Sequence, residues 1–150
     1  MWAVAIILHL LGTLIWVGGM FFAHMTLRPA AAELLDPPQR LPLLNRVLQG
    51  FFRWVWLAVA VILATGFWMN FGPLGGPVRL AVHLMMGIGL LMTGIFIYIW
   101  TVPYRGLAAA VRVADWPAAG VRMKVIRSLI LTNLILGLIA TILGGVSRFI

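Results

Sequence analysis

The residues of this chain best equipped for chemistry are three histidines, His9, His24 and His83, each set in a long apolar stretch. His9 and His24 fall within "LHLLGTLIWVGGMFFAHM", residues 8–25, which has no charged residue, and His83 falls within "RLAVHLMMGIGLL", residues 79–91. An imidazole in such surroundings costs free energy unless a ligand, a hydrogen-bond partner or a polar boundary takes it up. Neutral imidazole can hold haem iron or copper. Methionines lie close by: Met20 and Met25 bracket His24, and Met85 and Met86 follow His83. Thioether and imidazole together suit Cu(I). The absence of cysteine excludes a disulfide framework, a thiolate metal site and an iron–sulfur cluster.

The elements that must position these groups follow from composition. Of the 150 residues, 63% are hydrophobic and 9% charged, and the mean hydropathy is +1.09. A domain of this size could not hide so much apolar surface from water, so its solvent is lipid. The charges divide the chain into four uncharged runs, 1–27, 54–78, 80–104 and 128–147. Each can supply the roughly 20 residues that a helix needs to cross about 30 Å of hydrocarbon. The first run reads as a retained span rather than a removable signal peptide, because no basic residue precedes it and no A-x-A-like site ends it. The predicted fold is all-α, an integral membrane four-helix bundle in one domain. TM1 covers about 2–27, TM2 about 51–70, TM3 about 78–102 and TM4 about 125–147. Pro29 is expected to end TM1. Pro37, Pro38 and Pro42 are expected to split "AAAELLDPPQRLPLLNRVLQG" into a short helix, a kink and a lead into TM2. The segment after Pro103 reads as an extension of TM3, a turn at Asp115–Pro117 and an amphipathic approach to TM4.

Nine of the eleven basic residues flank the first and third loops; only Arg79 and Arg148 lie on the other side. This positive-inside pattern places both loops in the cytoplasm and both termini outside, in the periplasm of a Gram-negative host. The location expected is the bacterial inner membrane. The net charge of +8 then serves anionic lipid headgroups, and no nucleic-acid partner is needed to explain it.

His9 lies roughly 12 Å into TM1, and His83 roughly 6 Å beyond Arg79 in TM3, at 1.5 Å per residue. TM1 and TM3 run in parallel, so both imidazoles occupy the outer leaflet and are expected to face one central object. A b-type haem held by His9 and His83 is the first reading. Gly12 and Gly19 near His9, and Gly87 and Gly94 below His83, would give a porphyrin room, or would serve close helix packing. Arg79 and Arg148 would pair with the propionates, or would snorkel to lipid phosphate. The alternative is copper, with His9, His83, Met85 and Met86 as ligands and Met20 and His24 as a path inward. His24 lies roughly 22 Å along the axis from His9. It would ligate a second cofactor, form the inner copper step or rest among headgroups. No Asp or Glu falls in the four runs, which argues against a carboxylate proton relay.

"LHLLGTLIWVGGMFF", a Pro-containing amphipathic loop and "RLAVHLMMGIGLLMTGIFIYIW" together resemble the CopD family of bacterial membrane proteins over nearly the whole chain. That resemblance implies copper resistance or uptake across the inner membrane. The chain is also similar, more distantly, to the HemJ family of four-helix protoporphyrinogen oxidases. There a TM1 histidine linked to haem b precedes a Trp by seven residues, as His9 precedes Trp16. A lysine early in TM3 is important in that family. Here the only lysine is Lys124, in a loop, and His83 stands in the TM3 region, so the resemblance carries a haem site further than the oxidase activity.

Three functions follow as expectations. A bis-His haem b protein would transfer electrons to or from quinone or a periplasmic redox protein, with a membrane oxidoreductase as its enzymatic variant. A copper protein would bind or carry the ion, exchanging it with a periplasmic copper protein. A non-catalytic assembly subunit would use its histidines for hydrogen bonding alone. A homodimer is compatible with each.

Overall fold

The computed structural model describes residues 1–71 and 80–146, and every element among them is helical. Helix α1 (Trp2–Phe22) passes through a π-helical turn (Ala23–Leu27) directly into α2 (Arg28–Leu34). Helix α3 spans Pro37–Phe71, α4 Leu80–Thr101, α5 Pro103–Arg112 and α6 Trp116–Val146. Four stretches are long and apolar enough to cross a membrane: Trp2–Leu34, Pro37–Phe71, Leu80–Arg112 and Trp116–Val146. Only 17–28% of the most apolar window in each is buried inside the chain. Leu8, Leu10, Leu14, Leu91 and Ile142 accordingly present their side chains outward, a surface that lipid accepts and water would not.

Proline punctuates the helices at Pro37 and Pro103, as expected, but not at Pro29 or Pro42. Pro29 does not end the first span but sits in the first turn of α2. The π turn immediately before it loosens the hydrogen-bond ladder, and the proline ring clears the preceding carbonyls without breaking the rod. Pro42 lies inside α3, which runs unbroken for 35 residues instead of kinking before TM2. Leu41, Leu44 and Leu48 are all buried along this part of α3. Burying each contributes about 1.5–3 kcal/mol, which together outweighs the roughly 3 kcal/mol that an internal proline costs. The residue of TM3 expected first, Val78, lies outside the described residues, which resume with α4 at Leu80.

The turn between α5 and α6 falls at Val113–Asp115, about two residues before the expected Asp115–Pro117, because Trp116 and Pro117 already form the first turn of α6. Asp115 N donates to Ala110 O at 3.0 Å and Ala114 N to Val111 O at 3.2 Å, closing α5 in a Schellman arrangement. Ala114 takes the left-handed position with φ 55°. The Asp115 carboxylate then caps α6, accepting from Ala118 N at 3.1 Å.

Helices of 31–35 residues are roughly 47–53 Å long, well beyond the thickness of the hydrocarbon. The excess lies at the end that carries Arg28, Arg40, Lys124 and Arg127, the basic end. There α2, the start of α3, α5 and the start of α6 form a layer in which Leu41, Leu107, Ala119 and Ile126 are buried, continuous with the core around Trp16, Phe52 and Phe96. In the membrane layer α1 packs along α3 and touches α6, and α4 packs along α6. The backbones of α1 and α4 stay apart on the diagonal. Trp16 and Phe96 bridge them edge to face with ring centroids 6.2 Å apart, and Phe52 and Trp56 of α3 close on Phe96 at 5.5 and 5.1 Å.

Glycine sets the α1–α3 distance. A Cβ on Gly12 would stand 2.9 Å from Ile62 Cγ1 and 3.3 Å from the Ala58 carbonyl oxygen, and one on Gly19 would strike the Phe51 ring. On α6, a Cβ on Gly137 would come 2.8 Å from Val17 Cγ2. Gly87 and Gly94 on α4 would meet nothing within 4 Å.

Gly12→Val should therefore lower stability by about 1–3 kcal/mol through overpacking, whereas Gly87→Val should change it by less than about 0.5 kcal/mol. Thermal unfolding of both variants in detergent checks this, and a larger loss at Gly87 would contradict it. Ala114→Gly should raise the melting temperature, since alanine at a left-handed position costs on the order of 1 kcal/mol. Unchanged or lower melting would show that this turn is not strained.

Candidate functional site

The polar groups at the N-terminal end of the bundle start with His9. On α1 it shares the inward face with Ala5, Gly12 and Trp16, all buried. Its partner is on α3: His9 Nδ1 and Thr65 Oγ1 are 3.0 Å apart. The direction of this bond follows from the threonine. Thr65 Oγ1 lies 2.6 Å from Val61 O and 3.2 Å from Ile62 O. Its single proton therefore goes back to its own helix, and the hydroxyl oxygen accepts from His9 Nδ1–H. The imidazole is thereby fixed in the tautomer whose Nε2 carries the lone pair.

The same site depends on Gly66. A Cβ there would stand 3.3 Å from His9 Cε1 and 3.7 Å from Nδ1, so glycine leaves room for the ring to approach α3. A side chain–backbone bond from Thr13 Oγ1 to His9 O, 2.9 Å, lies on the following turn of α1. A threonine bonded to the second ring nitrogen is the kind of outer partner that orients a metal-ligating histidine.

Sequence reasoning did not single out Thr65 or Gly66. The signal was present: a hydroxyl and a glycine, adjacent, inside an apolar run antiparallel to TM1 and at the depth of His9. What was missing was which face of each helix meets the other.

His83 is placed differently from the convergent geometry expected. On α4 the buried residues Ala81, Met92, Phe96 and Ile99 mark the inward face. His83, two residues after Ala81, falls about 200° from it, at roughly 100° per residue, and is exposed. His9 and His83 thus lie on helices whose backbones do not meet, one turned inward against α3 and the other away from the core. Met86 is nearer the interior: Asn70 Nδ2 of α3 approaches its Sδ at 3.9 Å. Met85 also points to the bundle, where a Cβ on Gly144 of α6 would stand 3.3 Å from its Sδ.

The remaining candidates separate. Gly12 is filled from across the interface by Ile62, so it serves helix packing and leaves no slot for a porphyrin; Gly87 is exposed. Met20 is buried in the core while Met25 is exposed, so the pair does not close around His24. His24 lies in the π turn and lines a shallow apolar groove at the basic end. Arg79 and Arg148 lie outside the described residues. Among the described residues no three His, Asp or Glu side chains come close enough to cage a metal ion. Asn133 is buried in the membrane layer and donates from Nδ2 to Met92 O of α4 at 3.1 Å, a tie between the two helices.

No curated protein and no solved structure matches the chain. A family model does: copper resistance protein D, over residues 45–147. The match takes in most of α3 and all of α4, α5 and α6, with Thr65, His83, Met85 and Met86 inside it and His9 and His24 before its start. Four long apolar helices and a family match covering more than half of the sequence lead to one conclusion: the chain is a multi-pass membrane protein belonging to the copper resistance protein D (CopD) family.

Proposed function

We propose that this protein binds copper at the N-terminal end of its bundle and hands it on as cargo rather than transforming a substrate. The observation that carries the reading is the His9–Thr65 bond, which commits Nδ1 and leaves Nε2 as a fixed, unprotonated donor. Met85 and Met86 at the start of α4, turned toward the bundle, would supply thioether donors there, and His83 on the outward face of α4 a separate imidazole that does not converge on His9. This set is soft, lacks carboxylates and thiolates, and favours Cu(I) over harder ions. Membership of a copper resistance family supports the same ion.

The cation distribution supports an orientation. All nine basic residues within the described part of the chain belong to the basic end, which the positive-inside tendency assigns to the cytoplasm. The His9 end then faces the periplasm of a bacterial inner membrane, where a copper-carrying protein can deliver or collect the ion. The haem reading draws less support, because an iron between His9 and His83 requires two rings that share a volume.

Copper and iron content of the purified protein, with oxidised and reduced visible spectra, tests the proposal directly. The expected result is bound copper without a Soret band. In competition with a chromogenic Cu(I) chelator, Thr65→Val should weaken binding about ten- to a hundredfold, the range for removing an outer partner of a metal-bound histidine. His9→Ala should weaken it at least as much, and His24→Ala should leave it unchanged. Iron with a Soret band and no copper, lost in His83→Ala, would overturn this reading in favour of haem b.

A further inference from the structure

We infer that the basic end holds one anionic glycerophospholipid in a built site, its phosphate among four cations and the first carbons of an acyl chain in the small groove beneath. The cavity there has a volume of about 360 Å³ between α2, the start of α3 and the start of α6. Arg28, Arg40, Lys124 and Arg127 line it, Trp116 and Pro117 form one wall, and no lining residue is acidic. Four like charges around one cavity repel each other and favour a counter-anion. Arg28 adds a second observation: its Nε is buried and has no hydrogen-bond partner. Arg40 is steadied from the side, its Nη1 donating to Ala32 O and Leu35 O, both at 3.5 Å.

What distinguishes a lipid from a soluble phosphate is the adjoining groove. It shares Arg28, Leu44, Met123 and Arg127 with the basic cavity. From there it continues along Ala23, Leu27, Leu48 and Ile130, residues that lie further into the apolar part of their helices. Its lining is almost wholly apolar, with the His24 ring at its side. A charged mouth opening into an apolar furrow matches a phosphodiester attached to an alkyl chain, and basic pockets between membrane helices recognise such headgroups. The site lies at the opposite end of the bundle from His9 and does not rest on the copper reading.

Native mass spectrometry of the full chain released from mild detergent provides the test, with four probes added separately. These are phosphatidylglycerol, phosphatidylcholine, deacylated glycerophosphoglycerol and inorganic phosphate. The expected result is one retained phosphatidylglycerol per chain and little retention of the other three. Lys124→Gln with Arg127→Gln, both exposed side chains, should reduce phosphatidylglycerol retention about tenfold. Arg46→Gln with Arg112→Gln removes the same charge from the same end but outside the cavity, and should leave retention unchanged. Equal losses in the two double variants would overturn the site in favour of a diffuse surface potential. Equal retention of phosphatidylcholine would remove the role of the cations, and retention of free phosphate without lipid would remove that of the groove.

Discussion

The close approach of α1 to α3 is the constraint on which the N-terminal half of the bundle depends. Lipid gives two apolar helices little reason to associate, so their pairing relies on fitted van der Waals contact. Gly12 and Gly19 provide that fit, accepting Ile62 and Phe51 where any side chain would hold the helices apart. Once the helices are that close, His9 reaches Thr65 and its ring settles over Gly66. The tautomer of the imidazole is therefore a consequence of glycine spacing about one and three helical turns away. The aromatic cluster around Phe96 extends the same packing to the diagonal, joining α1, α3 and α4 where their backbones leave room.

Polar groups are few in the membrane layer, and most are tied to a helix carbonyl or to a neighbouring helix, although Asn133 Oδ1 is buried without a partner. The hydroxyls of Thr65, Thr93 and Thr141 return their protons to carbonyls on their own helices. His9 and Asn133 instead bond between helices, which fixes rotation as well as distance. The two ties serve different pairs, α1 with α3 and α4 with α6, the pairs with the most extensive packing. Backbone groups are satisfied within the helices, as a medium without water demands.

The two ends of the molecule are chemically distinct. One has imidazole and thioether donors and no carboxylate; the other has nine cations. The proposed copper reading and orientation rest on this contrast, since soft donors favour a soft ion and a cation-rich boundary favours a leaflet of anionic lipids. A protein that handles copper across a membrane needs both properties at separate places, a donor set where the ion is met and a fixed orientation that defines direction.

The sequence by itself determined the medium, the number of spans and the ends to which charge is confined. Those properties depend on composition and on uninterrupted apolar length, which are local quantities. It also marked the turn between α5 and α6 to within about two residues, because capping chemistry acts within five or six residues. Proline misled for the opposite reason. Whether Pro29 and Pro42 end a helix depends on what the following turns bury, and the π turn and the buried leucines of α3 decided against a break. Depth along the axis placed His9 and His83 in the same layer, but depth carries no information about rotation. Only tertiary packing decided that Gly12 faces Ile62, that His9 meets Thr65 and that His83 turns away from the core, because each of these rests on which faces of two distant segments come together.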